Sequence, residues 1–381
     1  MMKQSAFPKR RGSNASEDDF FDIPDEPVLS VFKRQLRRKR LWVIILIVFL
    51  LFKWLRRDSP PSPRPSAIQY NNVDWSRYAY TQYATSETYL CNSIMVFDAL
   101  HRLGSRAERV LFYPEEWDLL MEGDYARTSE LLRLAMSKYK VQLMPVRIEG
   151  IKGENPETST ASWDTSTAKL NAFAMVQYDR VIHLDSDVIL LQEMDELFFL
   201  PSAIIAMPRA YWLLPQQRSL SSLLAVIQPS HREYKDMLGA IEATQNGQIE
   251  VNLTATRYDM EILNDRYGDQ ALVLPHRQYG LVSGEFRAKR HTRYLGNDHE
   301  DWNADRVLAE AKFVHFSDWP GPKPWVTWKQ DQLALLQPAC DINPGTEKES
   351  GCRNREVWKN LYNEFRRKRK DICQLLSFPP T

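Results

Sequence analysis

Two acidic residues, Asp185 and Asp187, stand one residue apart after the mostly apolar run 181–184. Such short β-branched runs are typical of strands that are buried on both faces. At the carboxyl end of a strand ligands bind in a crevice outside the sheet, and two carboxylates there can hold a divalent cation that binds a diphosphate. The alternative is a simple turn or helix N-terminus, because aspartate and serine are common turn residues.

The elements around this acidic pair alternate between strand and helix patterns. Strands are predicted at 78–83, 109–113, 141–146, 181–184, 203–207 and 223–227, and helices at 88–103, 128–139 and 169–177. Such alternation predicts an α/β fold with a mainly parallel sheet flanked by helices. No G-x-G-x-x-G follows the first strand and no P-loop motif occurs, so neither a dinucleotide-binding fold nor a P-loop fold is supported.

A second pair of candidate residues follows further along the chain. A strand from Phe313 leads to His315, and the proline- and tryptophan-rich loop after it carries Lys323. Taken alone, a histidine after an apolar run is usually a packed or capping residue, and a loop lysine is usually solvated.

Composition limits the class of protein. The chain has 381 residues, with 43% hydrophobic and 26% charged residues and a formal net charge of +1. These values are those of a globular protein with a sizeable core. The balanced charge argues against a nucleic-acid partner, because no global positive field gathers phosphates.

The N-terminal region indicates a membrane anchor. Six lysines and arginines between residues 33 and 40 precede an uninterrupted apolar run at 41–52, and a proline-rich stretch follows the anchor. The positive-inside rule then predicts a cytoplasmic tail (1–40), a single-pass signal anchor (41–57) and a stem (58–69), with the rest of the chain in the lumen of the secretory pathway. A cleaved signal peptide and a buried core helix are the weaker alternatives.

A lumenal location bears on glycosylation and on the cysteines. Asn252 becomes a candidate N-glycosylation site. The tail of the chain, 336–381, carries Cys340, Cys352 and Cys373, and Cys91 lies in a predicted helix; Cys340 with Cys352 would close a short loop, but the sequence leaves the pairing open. A helix is predicted from Arg355 to about residue 370, and its basic end is expected to be solvated.

Several ordered motifs between residues 78 and 325 resemble the glycogenin-like retaining glycosyltransferases of family 8. They are the block 168–198 around Asp185 and Asp187, the turn 84–89, the Gly-Asp-Gln element 268–270, and the final pair of His315 with Lys323-Pro-Trp325. Within this family the final motif and the N-terminal anchor are most similar to the fungal branch of glucose N-acetyltransferases, or alpha-1,2-N-acetylglucosaminyltransferases. The resemblance implies a GT-A fold over residues 70–335.

The resemblance also implies roles for individual residues. The metal ligands would be Asp185, Asp187 and His315; the catalytic residues Lys323, Asp269 and Gln270; the donor-binding residues Tyr83, Thr85, Ser86, Tyr89, Lys169 and Ser186. The implied cofactor is Mn²⁺ and the implied donor is a UDP-sugar. The implied reaction transfers GlcNAc or another hexose to a glycan or glycoprotein acceptor with retention of configuration.

Two departures from the family pattern keep other functions open. Residues 221–223, Ser-Ser-Leu, replace the usual Asn-Ser-Gly or Asn-Ala-Gly element, and the segment between His315 and Lys323 is longer than in glycogenin. The alternatives are a non-catalytic lumenal protein that binds sugar nucleotides or glycans or acts as a scaffold, and a self-glycosylating initiator similar to glycogenin.

Overall fold

The computed structural model describes residues 72–147, 166–245, 258–318, 320–342 and 349–374. The predicted tail, anchor and stem (1–69) and the candidate glycosylation site Asn252 lie outside these ranges. Within them, no helix has both the length and the apolar character that crossing a membrane requires.

A seven-stranded mixed sheet forms the centre of the fold. Its strands are β1 (Tyr78–Tyr83), β2 (Glu108–Pro114), β3 (Gln142–Val146), β4 (Arg180–Leu184), β6 (Ile205–Pro208), β7 (Leu224–Ile227) and β8 (Leu272–Leu274). The strand order is β3-β2-β1-β4-β7-β6-β8. All neighbours are parallel except at β7, which is antiparallel to both β4 and β6. The prediction of a mainly parallel α/β sheet is therefore confirmed.

A smaller sheet brings distant segments to the end of β4. It consists of β5 (Val188–Leu190), β9 (Leu281–Val282) and β10 (Phe313–His315), in the order β5-β10-β9. Strand β10 runs antiparallel to β5 and parallel to β9. A two-stranded ribbon of β11 (Asp341–Ile342) and β12 (Glu349–Ser350) lies further along the chain.

Nine α-helices occur in the described part of the chain. They are α1 (Glu87–Leu103), α2 (Ala126–Tyr139), α3 (His231–Gln245), α4 (Asp259–Tyr267), α5 (His276–Tyr279), α6 (Thr292–Leu295), α7 (Ala304–Glu310), α8 (Gln330–Leu336) and α9 (Arg353–Cys373). Helix α1 begins and ends as predicted. The Ser86 hydroxyl accepts a hydrogen bond from the Tyr89 amide, and Gly104 ends the helix with φ 83°, a left-handed conformation that glycine adopts without strain.

The predicted helix at 169–177 is wrong in type and position, because the segment is a 3₁₀ helix over Ser166–Ala174. Six of its nine side chains are buried, so the segment packs on more than one side. It contacts β1, β2 and β4 on the sheet and α3 and α4 on the other side. Packing between these layers overrides the local helical pattern.

The C-terminal helix α9 is longer than predicted and packs on α1. Val357, Leu361 and Phe365 are buried, as their spacing predicts. The expectation of a solvated basic end is wrong for Arg369, which is 1% exposed and donates to Asn92 Oδ1 (2.6 Å) and the Thr88 carbonyl (3.1 Å). Burial lowers the pKa of Arg369 to about 10.

Both pairs of cysteines form disulfides. Cys91 in α1 bonds Cys373 at the end of α9, and Cys340 bonds Cys352. The second bond closes the short loop that the sequence offered as one possible pairing. The first bond spans 282 residues and the second spans 12. The long-range bond therefore ties the last helix to the first.

Replacing Cys91 and Cys373 with serine should lower the free energy of unfolding more than replacing Cys340 and Cys352. The loop-entropy relation gives losses of about 6 kcal/mol and about 3 kcal/mol respectively. Urea unfolding of the full-length chain in detergent, under non-reducing conditions, measures both. Equal or reversed losses would show that loop length does not determine the contribution of these bonds.

Candidate functional site

The acidic pair lies at the carboxyl end of β4, as predicted. All five residues of β4 are buried between β1 and β7, and the Asp185 amide donates to the Leu223 carbonyl (2.9 Å) just before β7. The Asp187 carbonyl in turn accepts from the Phe316 amide (2.9 Å). Both aspartates are thus held at a strand edge by neighbouring segments.

The pairing of β10 with β5 brings His315 to this edge. His315 lies opposite Val188, the residue after Asp187. His315 Nε2 is 3.0 Å from Asp187 Oδ1 and 3.6 Å from Asp185 Oδ2. The ligand atoms of the three side chains all lie within 4.8 Å of one another. Two carboxylate oxygens and an imidazole nitrogen form a donor set that fits a divalent ion such as Mn²⁺ or Zn²⁺.

Lys323 approaches the same carboxylate from the following loop. Its Nζ donates to Asp187 Oδ2 (2.5 Å) and to the Phe316 carbonyl (2.8 Å). Burial opposes the ionised form of Asp187, but His315 and Lys323 outweigh it and hold its pKa well below the usual value. Burial dominates at Asp185 and raises its pKa, against the effect of Lys169. The two neighbouring carboxylates therefore have different electrostatic environments.

Lys169 joins Asp185 to a carboxylate that sequence reasoning missed. Its Nζ lies 2.9 Å from Asp185 Oδ1 and 2.6 Å from Asp259 Oδ2, and it donates to the Ser222 carbonyl (3.2 Å). Burial alone would lower the pKa of Lys169, yet Asp185 and Asp259 together raise it above its usual value. Asp259 is the first residue of α4. An acidic residue at the start of a helix usually interacts with the helix dipole. Nothing in the sequence therefore indicated that Asp259 belongs to the site.

These residues line a cavity of about 470 Å³. Among the predicted residues it includes Tyr83, Tyr89, Lys169, Ser186, Lys323 and the three candidate metal ligands. Thr85 and Ser86 do not line it, and Ser86 caps α1 instead. Ser221, Ser222 and Leu223, the residues that depart from the family pattern, are part of the wall.

Asp269 and Gln270 lie away from this cavity. Both side chains are exposed, directly beyond the C-terminal end of α4, and neither lines the cavity. The N-terminal end of α4 carries the cavity residue Asp259, and nine helical residues span about 13 Å. The structure therefore places Asp259, rather than the predicted Asp269 or Gln270, beside Lys169.

Helix α9 supports the loop between His315 and Lys323. The Asp318 carboxylate is buried there and accepts hydrogen bonds from Trp358 Nε1 and Tyr362 Oη of α9 and from Arg287 Nη1. The Phe316 ring packs edge-on against Tyr362 and Phe365. The loop that joins His315 to Lys323 is therefore held by the C-terminal helix.

Two fungal proteins resemble most of the chain, although no family model matches it. Glucose N-acetyltransferase 1 of Aspergillus fumigatus is 60% identical over 373 residues, 97% of this chain and 96% of that protein. The protein of the same name from Gibberella zeae is 45% identical over 309 residues, 79% of this chain and 64% of that protein.

Solved glycosyltransferase structures resemble the chain more distantly. The galactosyltransferase LgtC, in complex with donor and acceptor sugar analogues, has a TM-score of 0.47 and 14% identity over 75% of this chain and 95% of its own. GlyE of Streptococcus pneumoniae has a TM-score of 0.45 and 17% identity over 78% of this chain and 64% of its own.

These relatives identify the mixed α/β chain as a glycosyltransferase. The 60% identity over 97% of its length shows more: the chain belongs to the glucose N-acetyltransferase family. This confirms the fungal branch that the sequence motifs predicted.

Replacing Lys169 with methionine should destabilise the fold strongly. The substitution removes the cation that both Asp185 and Asp259 contact, and breaking a buried ion pair from one side costs about 3–5 kcal/mol. Urea unfolding measures the loss. Lys323→Met is the matched control, because Lys323 is 34% exposed and should cost clearly less. Equal losses for the two variants would contradict the buried bridge.

Proposed function

We propose that the chain is a type II membrane glycosyltransferase of the Golgi that transfers a sugar from a UDP-sugar to a glycan acceptor. GlcNAc is the favoured sugar, since the named relatives are glucose N-acetyltransferases. The proposed reaction requires a divalent cation, Mn²⁺ first, and retains the anomeric configuration. Retention rests on the family resemblance, and NMR of the product anomer would test it.

One observation carries the proposal: Asp185, Asp187 and His315 converge beside Lys323 in a cavity at the carboxyl ends of the strands. In α/β sheets this edge is where ligands bind. A non-catalytic glycan-binding protein has no need for a metal-ligand triad beside a lysine at this edge. The same geometry favours a donor with a diphosphate.

A divalent cation, when bound by Asp185, Asp187 and His315, would place positive charge against the diphosphate of the donor. Lys323 is 34% exposed, so its ammonium can leave Asp187 and contact a diphosphate oxygen. This contact strengthens as negative charge grows on the leaving group, so it lowers the barrier rather than only binding the donor. Lys169, held between two carboxylates, keeps Asp185 in place.

Aromatic side chains in the same cavity suit the nucleotide. Tyr83 and Tyr89 line the cavity beside the acidic pair, and Tyr89 packs edge-on against Trp325. Burial raises the pKa of Tyr83 well above its usual value, so its hydroxyl stays a neutral hydrogen-bond donor. We assign these two rings to the uridine.

The membrane topology of the proposal rests on the N-terminal sequence. The apolar run at 41–52 follows six cations, and the proline-rich stem separates the anchor from β1. The two disulfides fit an oxidising compartment such as the secretory lumen. Protease protection of the full-length chain in sealed Golgi vesicles would test this orientation.

Replacing Asp187 with asparagine should lower turnover of a UDP-sugar at least about 100-fold, because the charge that binds the cation and orients Lys323 is lost. The measurement is Mn²⁺-dependent hydrolysis and transfer over a panel of UDP-sugars by the full-length chain in detergent. Omitting Mn²⁺ or adding EDTA should abolish the wild-type activity.

Asp269→Asn is the matched control for this experiment. It removes the same charge from an exposed aspartate outside the cavity and should leave turnover within about twofold, as surface substitutions usually do. Absence of turnover with every donor, together with equal UDP affinity in wild type and Asp187→Asn, would refute the enzyme. A mass increase of the chain itself after incubation with donor would instead identify a self-glycosylating initiator.

A further inference from the structure

A second cavity, of about 610 Å³, adjoins the donor cavity. Trp212 and Ser317 line both cavities, and Ser317 lies two residues after the metal-ligand candidate His315. Most of the other lining residues belong to the 3₁₀ helix Ser283–Arg287 and to α6 with the residues before it. None of the residues assigned to the cation or the donor lies in this second cavity.

A buried carboxylate, that of Glu285, lies in the wall of this cavity. Glu285 is 8% exposed, and its Oε1 lies 2.7 Å from His291 Nδ1. The His291 ring is itself stacked on Trp302 at 3.8 Å between centroids, so the carboxylate is held in one orientation. Burial and the nearby Glu285 raise the pKa of Tyr211, which is buried in the same wall. The proposed donor chemistry gives this fixed acid no role.

The rest of the wall suits a sugar ring. Trp212 offers a partly exposed aromatic ring, packed edge-on against Tyr211, and its carbonyl accepts from Arg293 Nη1 (2.9 Å). Pockets that combine an aromatic surface with a few fixed polar groups bind small polar-apolar ligands such as pyranoses. Arg290 and Arg293 also line the cavity, but both are exposed, so solvent and salt screen their charges. The buried carboxylate accepts hydrogen bonds from hydroxyl groups and, being less screened, repels an anion. The expected occupant is a neutral hexose.

We infer that this cavity binds the terminal neutral hexose of the acceptor glycan, and that Glu285 accepts hydrogen bonds from hydroxyl groups of that sugar. The inference rests on the proposed function and adds to it an acceptor class and a binding residue. The shared wall of Trp212 and Ser317 lets an acceptor hydroxyl face the donor cavity.

Replacing Glu285 with glutamine tests the inference, because it keeps the shape and removes the charge. With α-linked glucose, mannose and galactose disaccharides as probes, it should raise the acceptor KM about tenfold or more, as expected for one lost charge-assisted hydrogen bond. Donor hydrolysis and the Kd for the UDP-sugar should stay unchanged. An unchanged acceptor KM, or a preference for disaccharides phosphorylated on the terminal sugar, would overturn the inference. Glu242→Gln, on the exposed face of α3, is the charge-matched control.

A second variant separates acceptor binding from folding. Thr292 is exposed and lines the cavity, so Thr292→Trp should fill it and raise the acceptor KM without lowering the Tm. Lys289→Trp adds the same ring at an exposed residue outside the cavity and should have no effect. An effect of Lys289→Trp equal to that of Thr292→Trp would contradict the site.

Failure of the proposed function gives a different result from failure of the acceptor site. Disaccharide binding is measured by calorimetry with UDP and Mn²⁺ present, without any turnover. Suppose that the wild type binds a disaccharide but turns over no donor, and that Thr292→Trp abolishes binding. The sugar site is then supported and the proposed transferase activity is refuted. If donors turn over but Thr292→Trp leaves acceptor KM unchanged, only the site fails.

Discussion

Several carboxylates are buried at one edge of the sheet, and the site depends on basic groups that compensate their negative charge. Asp185, Asp187 and Asp259 each lose most of their hydration, which costs several kcal/mol per charge unless cations replace the water. Lys169 lies between two of them, and Lys323 and His315 lie against the third. The fold must therefore bring these basic groups from distant parts of the chain.

Once assembled, this balance of charges can also serve a reaction. Lys169 is almost fully buried and bridges two acids, so it is suited to hold the site together. Lys323 is partly exposed on a loop, so in the proposed reaction it can exchange Asp187 for the diphosphate of the donor. The two lysines therefore differ in burial, although both are paired with aspartate.

The site also depends on the C-terminal helix α9, which lies outside the sheet. Asp318, in the loop between His315 and Lys323, is neutralised by Arg287 and hydrogen-bonded by Trp358 and Tyr362 of α9. Arg369 and the disulfide of Cys373 attach the same helix to α1, which follows the first strand. A segment outside the family resemblance thus positions residues that the resemblance assigns to the site.

Apolar runs and caps such as Ser86 act over a few residues, so the alternating elements and the place of Asp185 and Asp187 at a strand end can be predicted without the fold. The sequence assigned Asp269 to the site, whereas the structure places that side chain outside the cavity, and it did not single out Asp259 or Glu285, because acidic residues at a helix start or in a cavity wall look ordinary in the sequence. Which acids share a cavity with Lys169 and His315 becomes visible in the folded chain alone. Their convergence depends on strand order and on the antiparallel return of β10 to β5, which join residues more than a hundred positions apart.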